Sequence, residues 1–226
     1  MFDLVIFDCD GVLVDSERIA NRIFAQVLEQ ECGLQFSEQE MFDTFVGCSA
    51  IRCLEILEDI LGYQPPPNLE HRYRDEINSA LADSVEAVKG IETALSTIGL
   101  PYCVASGGSH DKMRITLGRT GLLKYFEGKL HSSHDVERSK PHPDVYLLAA
   151  EKMGNIDPAR CLVIEDSPTG VQAGVAAGMT VFGFAELMDE TKLTDAGASH
   201  IFCEMGKLDK EIQQYSDRTA LNARKR

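Results

Sequence analysis

The chain has 226 residues, 44% hydrophobic and 26% charged, which excludes disorder over most of its length and leaves room for one large domain or a core with a smaller insertion. Its 22 Lys and Arg against 36 Asp and Glu give a formal charge of −14, a balance that opposes electrostatic binding to nucleic acid or to an anionic membrane. No apolar run approaches the roughly 20 residues that span a bilayer, and the first, Leu4–Phe7, is too short for a signal peptide, so a cytoplasmic protein is expected.

Leu4–Phe7 is continuously apolar, the pattern of a strand buried on both faces. It leads into Asp8-Cys9-Asp10-Gly11-Val12-Leu13-Val14-Asp15-Ser16, where Asp8 and Asp10 stand at i and i+2 and project to one side of an extended chain. Ligands of open α/β sheets bind at the carboxyl ends of strands, where this pair falls. An isolated Asp-x-Asp also occurs as two solvated acids in a strand-end loop; Gly11 then permits a sharp turn. Residues 17–86 change period. Ile19, Ala20, Ile23, Phe24, Val27 and Leu28 recur at helical spacing, as do Ile51, Leu54, Leu57, Ile60 and Leu61, and then Leu69, Tyr73, Ile77 and Leu81. Pro65-Pro66-Pro67 must be a loop, and no strand-like run interrupts the stretch, so it reads as an all-helical insertion.

From residue 87 strands and helices alternate. A helical pattern at 91–98 precedes a strand at Tyr102–Ser106, which ends in Ser106-Gly107-Gly108-Ser109. A hydroxyl beside backbone N–H groups at a helix N-terminus can cradle phosphate, although an N-cap with a glycine turn has the same look. A weaker strand at 129–133 is followed by Arg138-Ser139-Lys140-Pro141-His142-Pro143-Asp144, a proline-stiffened loop in which Lys140 can direct an ammonium at a phosphate or simply be solvated. After a helix at 145–153, the strand Cys161–Glu165 delivers Glu165 and Asp166 ahead of Ser167-Pro168-Thr169-Gly170, and a last strand is read at Thr180–Phe184. Gly170, Gly174 and Gly178 repeat at i, i+4 and i+8, a small face suited to close helix–sheet packing. The basic residues of 218–226 read as a frayed tail. Asp8, Asp10, Glu165 and Asp166 at one sheet edge would repel one another without a cation, and oxygen ligands with no adjacent histidine favour magnesium over zinc. The seven cysteines show no Cys-x-x-Cys pair and several lie in apolar segments, which reads as reduced, buried thiols. The alternation predicts an α/β, doubly wound parallel-sheet core over 1–16 and 87–226, with a helical domain over 17–86 inserted in it.

Asp-x-Asp, Ser, Lys-Pro and Glu-Asp follow in that order, three of the four directly after a strand. The set resembles the four motifs of the haloacid dehalogenase-like (HAD) superfamily across residues 2 to about 205, and Asp15-Ser16-Glu17 resembles its phosphatase and phosphomutase members. The resemblance implies a Rossmann-like core with a helical cap hinged near 14–17 and 86–90. It makes Asp8 the nucleophile that forms an aspartyl-phosphate, and Asp10 the acid, then the base, of the two steps. Mg2+ would be held by Asp8, the Asp10 carbonyl and Asp166, with Glu165 in support. Ser106, the Gly107 N–H and Lys140 would hold the phosphoryl oxygens. The implied activity is a magnesium-dependent phosphatase acting on a small phosphorylated metabolite, a sugar phosphate or sugar-acid phosphate, with a monomer as the expected state.

A β-phosphoglucomutase-like phosphomutase is the nearest alternative. That branch carries a cap histidine where this chain has Ala20, and a cap arginine after Gly-x-Ser where it reads Gly47-Cys48-Ser49-Ala50, with Arg52 out of register. Haloalkanoate dehalogenases do not need the second aspartate of the pair. A receiver-like signalling protein or another non-catalytic phosphate binder is a further alternative. Receiver domains, however, are shorter, lack an inserted cap and place the phosphoacceptor on a later strand. Cys48, Ser49, Arg52, Ala20 and Asn21 are the cap positions expected to set specificity.

Overall fold

The computed structural model describes residues 2–45, 48 and 50–223, in two compact units. One comprises Asp15–Glu86, the other the residues up to Val14 together with those from Ala87 onward. The first of these contains α1 (Glu17–Cys32), α2 (Glu38–Phe45), α3 (Ala50–Leu61) and α4 (Leu69–Ser84). Gly33 ends α1 in the left-handed conformation at φ 67°, its N–H closing on Glu29 O. Val27, Leu28, Met41, Leu57, Leu69 and Leu81 are buried, and Phe24 lies with its ring 5.2 Å from Phe45 and 5.1 Å from Tyr73. Arg72 of α4 reaches Glu31 of α1 and its own Glu76, so an ion pair ties the two longest helices of this unit.

The second unit is a parallel sheet. Its strands are β1 (Leu4–Phe7), β2 (Tyr102–Ser106), β3 (Leu130–Ser132), β4 (Cys161–Glu165), β5 (Thr180–Phe184) and β6 (His200–Phe202), arranged β3-β2-β1-β4-β5-β6. The helices are α5 (Ile91–Thr97), α6 (His110–Arg119), α7 (Asp144–Lys152), α8 (Pro168–Ala176), α9 (Glu190–Asp195) and α10 (Leu208–Ala223). Every residue of β1 is fully buried, as the unbroken apolar run requires of a central strand covered on both faces; each such Leu, Ile or Val contributes about 1.5–3 kcal/mol. The α7 helix packs on β1, β2 and β3, and α8 on β4 and β5.

Two features escape the sequence reading. His200–Phe202 forms a sixth strand too short to show a period, paired to β5 with Phe184 opposite Phe202. The supposed frayed tail is helical through Ala223, because α10 lays Tyr215 against Phe2 and Phe182, with ring centroids 6.2 and 5.0 Å apart; residues 224–226 fall outside the described ones. The glycine face also divides. Gly174 faces Val181 and Val163, Gly170 faces the Glu165 carboxylate, and Gly178 lies beyond α8 in a turn at φ 76°.

Candidate active site

Strand register brings the motifs to one edge. Phe7 pairs with Val104 on one side and Ile164 on the other, so Asp8, Ser106 and Glu165 emerge together at the carboxyl ends of β1, β2 and β4. The chain builds outward from β1 to β3 and then returns to β4 on the other side, and such a reversal of strand order opens a crevice at the strand ends. A cavity of about 350 Å3 lies there, lined by Asp8, Asp10, Gly107, Lys112, Lys140 and Glu165 among others.

Asp8 is buried and accepts from Lys140 Nζ at 2.7 Å. Burial pushes its carboxyl up to about 7, and Glu165 and Asp10 push the same way against Lys140. Lys140 Nζ also donates to Glu165 Oε1 at 2.7 Å and to the Ala105 carbonyl at 3.2 Å, and these carboxylates keep it charged despite its burial. Glu165 has no exposed surface, yet it ionises below the ordinary carboxylate range: burial opposes its charge, but Lys140, the Tyr146 hydroxyl at 2.7 Å and the Ser167 N–H outweigh it. Its Oε2 takes the N–H groups of Asp166 and Ser167, both at 3.1 Å, and the Ser167 hydroxyl at 2.9 Å. Glu165 is therefore fully occupied with donors, which suits it to orienting Lys140 and the 165–167 turn rather than to direct ligation.

Asp166 lies against Gly11. A Cβ on Gly11, whose φ is 73°, would stand 1.8 Å from Asp166 Oδ2, so the glycine provides both the turn and the room for that carboxylate. Oxygens of Asp8, Glu165 and Asp166 lie within 4.8 Å of one another. The Asp10 carboxylate is not in this trio; it accepts from Lys112 Nζ at 2.8 Å. With Glu165 occupied and the Asp10 carboxylate on Lys112, Asp8 and Asp166 are left offering hard oxygen donors side by side, and four carboxylates against two lysines leave an excess of negative charge, which fits a divalent cation of the magnesium type.

Ser106 is buried and accepts the Gly108 N–H at 3.0 Å, so it braces the loop of which Gly107 and Gly108 line the cavity. Ser132 at the end of β3 donates to the Gly108 carbonyl at 2.7 Å, and Ser109 caps α6. Arg138 grips Asp144 through two bonds of 2.9 and 3.1 Å, closing the loop that presents Lys140.

Lys112, Tyr146 and Ser132 belong to none of the motifs that the sequence displays. Tyr146 sits on an apolar helix face and reads as core; Lys112, one turn past an N-cap serine, offered a signal only in its position. Of the expected specificity residues, Asn21 is buried and donates to the Glu17 carbonyl at 2.9 Å, Cys48 to the Thr44 carbonyl at 3.6 Å, and exposed Arg52 pairs with Glu55 at 2.9 Å. Ala20 is half-buried, while Gly47 and Ser49 lie outside the described residues.

Residues 5–184 match the family model described as haloacid dehalogenase-like hydrolase. The chain is 37% identical over 183 residues to the 6-phosphogluconate phosphatase of Escherichia coli, covering 80% of this chain and 82% of that protein. It is 33% identical over 177 residues to the fructose-1-phosphate phosphatase of the same organism, covering 77% and 92%. Among solved structures, a HAD family hydrolase from Deinococcus radiodurans with bound phosphate and sodium superposes with a TM-score of 0.80 at 33% identity, covering 94% of this chain and 96% of that one.

Proposed function

The chain belongs to the haloacid dehalogenase-like hydrolases, and from that premise we propose that it hydrolyses a small phosphorylated sugar or sugar acid through a phosphorylated Asp8. The observation that carries this reading is Asp8 at the end of β1, held by Lys140 on the floor of a cavity that the Gly107–Gly108 loop also lines. Sugar phosphates enter as the substrate class because both phosphatase relatives carry such substrates in their names.

An Asp8 oxygen attacks phosphorus, while Lys140, the Ser106 hydroxyl and the Gly107 N–H hold the equatorial oxygens and Lys140 offsets their charge, which is most of what phosphoryl transfer asks of a protein. Asp10 gives its proton to the leaving oxygen and then takes one from the attacking water; a positioned group of this kind is worth about 10²–10⁴-fold. Mg2+ would be held by Asp8, Asp166 and the Asp10 carbonyl, supplying positive charge beside the reacting phosphoryl group. Glu165 fixes Lys140 and the turn carrying Asp166.

In this reading Asp15–Glu86 acts as the cap that selects substrate. Its two connections run side by side, with a bridge between Val14 and Ala87 and the Asp15 N–H on the Glu86 carbonyl at 2.9 Å. Ala20 in place of the mutase histidine favours hydrolysis over isomerisation. Free thiols at Cys9, Cys103 and Cys161 fit a cytoplasmic setting. No helix among the described residues is long and apolar enough to cross a membrane.

Rapid acid quench during turnover of 6-phosphogluconate or fructose 1-phosphate, followed by peptide mass analysis, should find the phosphoryl group on Asp8. Its appearance on another residue would overturn the assignment.

A further inference from the structure

Lys112 lies outside the four motifs. As the third residue of α6 it occupies the first helical turn, where the positive end of the helix dipole opposes an ammonium. Three features hold it there. Its N–H donates to Ser109 Oγ at 3.2 Å, which fixes where the side chain leaves the helix. Its stem passes over Gly108, where a Cβ would stand 3.3 Å from Lys112 Cδ and 3.7 Å from Asp10 Oδ2. Its ammonium then ends on Asp10 Oδ2 at 2.8 Å, at the wall of the cavity.

We propose that Lys112 is a positioning residue for Asp10, holding that carboxyl group in the orientation from which it exchanges a proton with the leaving oxygen. The proposal rests on the reading of Asp10 given above. In the first step an Asp8 oxygen donates an electron pair to phosphorus, and the bond from phosphorus to the leaving oxygen breaks with its pair. That oxygen receives the Asp10 proton, leaving an alcohol and an Asp10 carboxylate. The carboxylate, held by Lys112, then takes a proton from the water that attacks phosphorus, while the bond between Asp8 and phosphorus breaks with its pair returning to Asp8.

The test compares kcat/KM for phenyl phosphate and p-nitrophenyl phosphate, two similar shapes whose leaving groups differ in their need for a proton. Because kcat/KM covers the steps through formation of the phosphorylated Asp8, it isolates the first proton transfer. Lys112→Met should lower kcat/KM for phenyl phosphate about 10- to 100-fold and for p-nitrophenyl phosphate less than about 3-fold, with Lys112→Arg recovering most of the loss. Asp10→Asn should show the same discrimination, and more strongly. Equal losses on both substrates in Lys112→Met, with Asp10→Asn still discriminating, would overturn the proposal, and weakened inhibition by inorganic phosphate would then mark Lys112 as a phosphate ligand. Absence of discrimination in Asp10→Asn would instead overturn the reading of Asp10, and the Lys112 proposal with it.

Discussion

Asp8 and Asp10 are two residues apart, yet different cations hold them: Lys140 pairs with Asp8 and Lys112 with Asp10. Asp8→Asn keeps the shape and removes the proposed nucleophile, so phosphate release should fall to background. Asp10→Asn keeps the nucleophile and should reduce turnover by about 10²–10⁴-fold. Full activity in Asp8→Asn, with contamination and deamidation excluded, would refute the assignment. Gly11→Ala tests the proposed metal face of the same site. Its Cβ would collide with Asp166 Oδ2 at a φ of 73°, so the variant should need at least about tenfold more Mg2+ for half-maximal activity. An unchanged magnesium activation curve would show that Asp166 is not a ligand.

Among the elements, β1, β2, β4 and β5 are legible because buried parallel strands are short, unbroken apolar runs, and each of the first three hands its motif to the same edge. β6 and α10 are not legible. A three-residue edge strand has no period, and the charged stretch that ends α10 conceals a helix whose Tyr215 stacks on Phe2 and meets Phe182 edge-on, both far away in sequence. Asp8, Asp10, Glu165, Asp166, Ser106 and Lys140 could be picked out by type and order. Their partners Tyr146 and Lys112 could not, since register and helix phase decide which side chains meet. Small residues on α8 give a test at this scale. In Gly174→Ala the new Cβ would stand 2.6 Å from Val181 Cγ2, forcing α8 away from β5, so chemical denaturation should show a loss of about 1–3 kcal/mol. Wild-type stability in that variant would mean that the helix has slack against the sheet.

For the molecule as a whole, the crowded carboxylates couple folding to pH, and on the proposed reading to a bound metal. Burial moves Asp8 from its ordinary 3.8 to about 7, so between those values the folded protein binds more protons than the unfolded chain. The stabilisation from protonating Asp8 is complete below 3.8 and is lost as pH rises through about 7. A cation that binds the ionised form meets no competing proton above that range, so Mg2+ should raise Tm more at about pH 8 than at about pH 5.5. An equal shift at both values would contradict the coupling. The most direct measurement is phosphate release from a panel of phosphorylated sugars and sugar acids, with Mg2+ and with EDTA, using Asp8→Asn as the blank. The expected result is release that EDTA abolishes, Mg2+ restores and the blank lacks, with 6-phosphogluconate or fructose 1-phosphate among the substrates. Release that persists in EDTA, or that the blank retains, would contradict metal-assisted hydrolysis through Asp8.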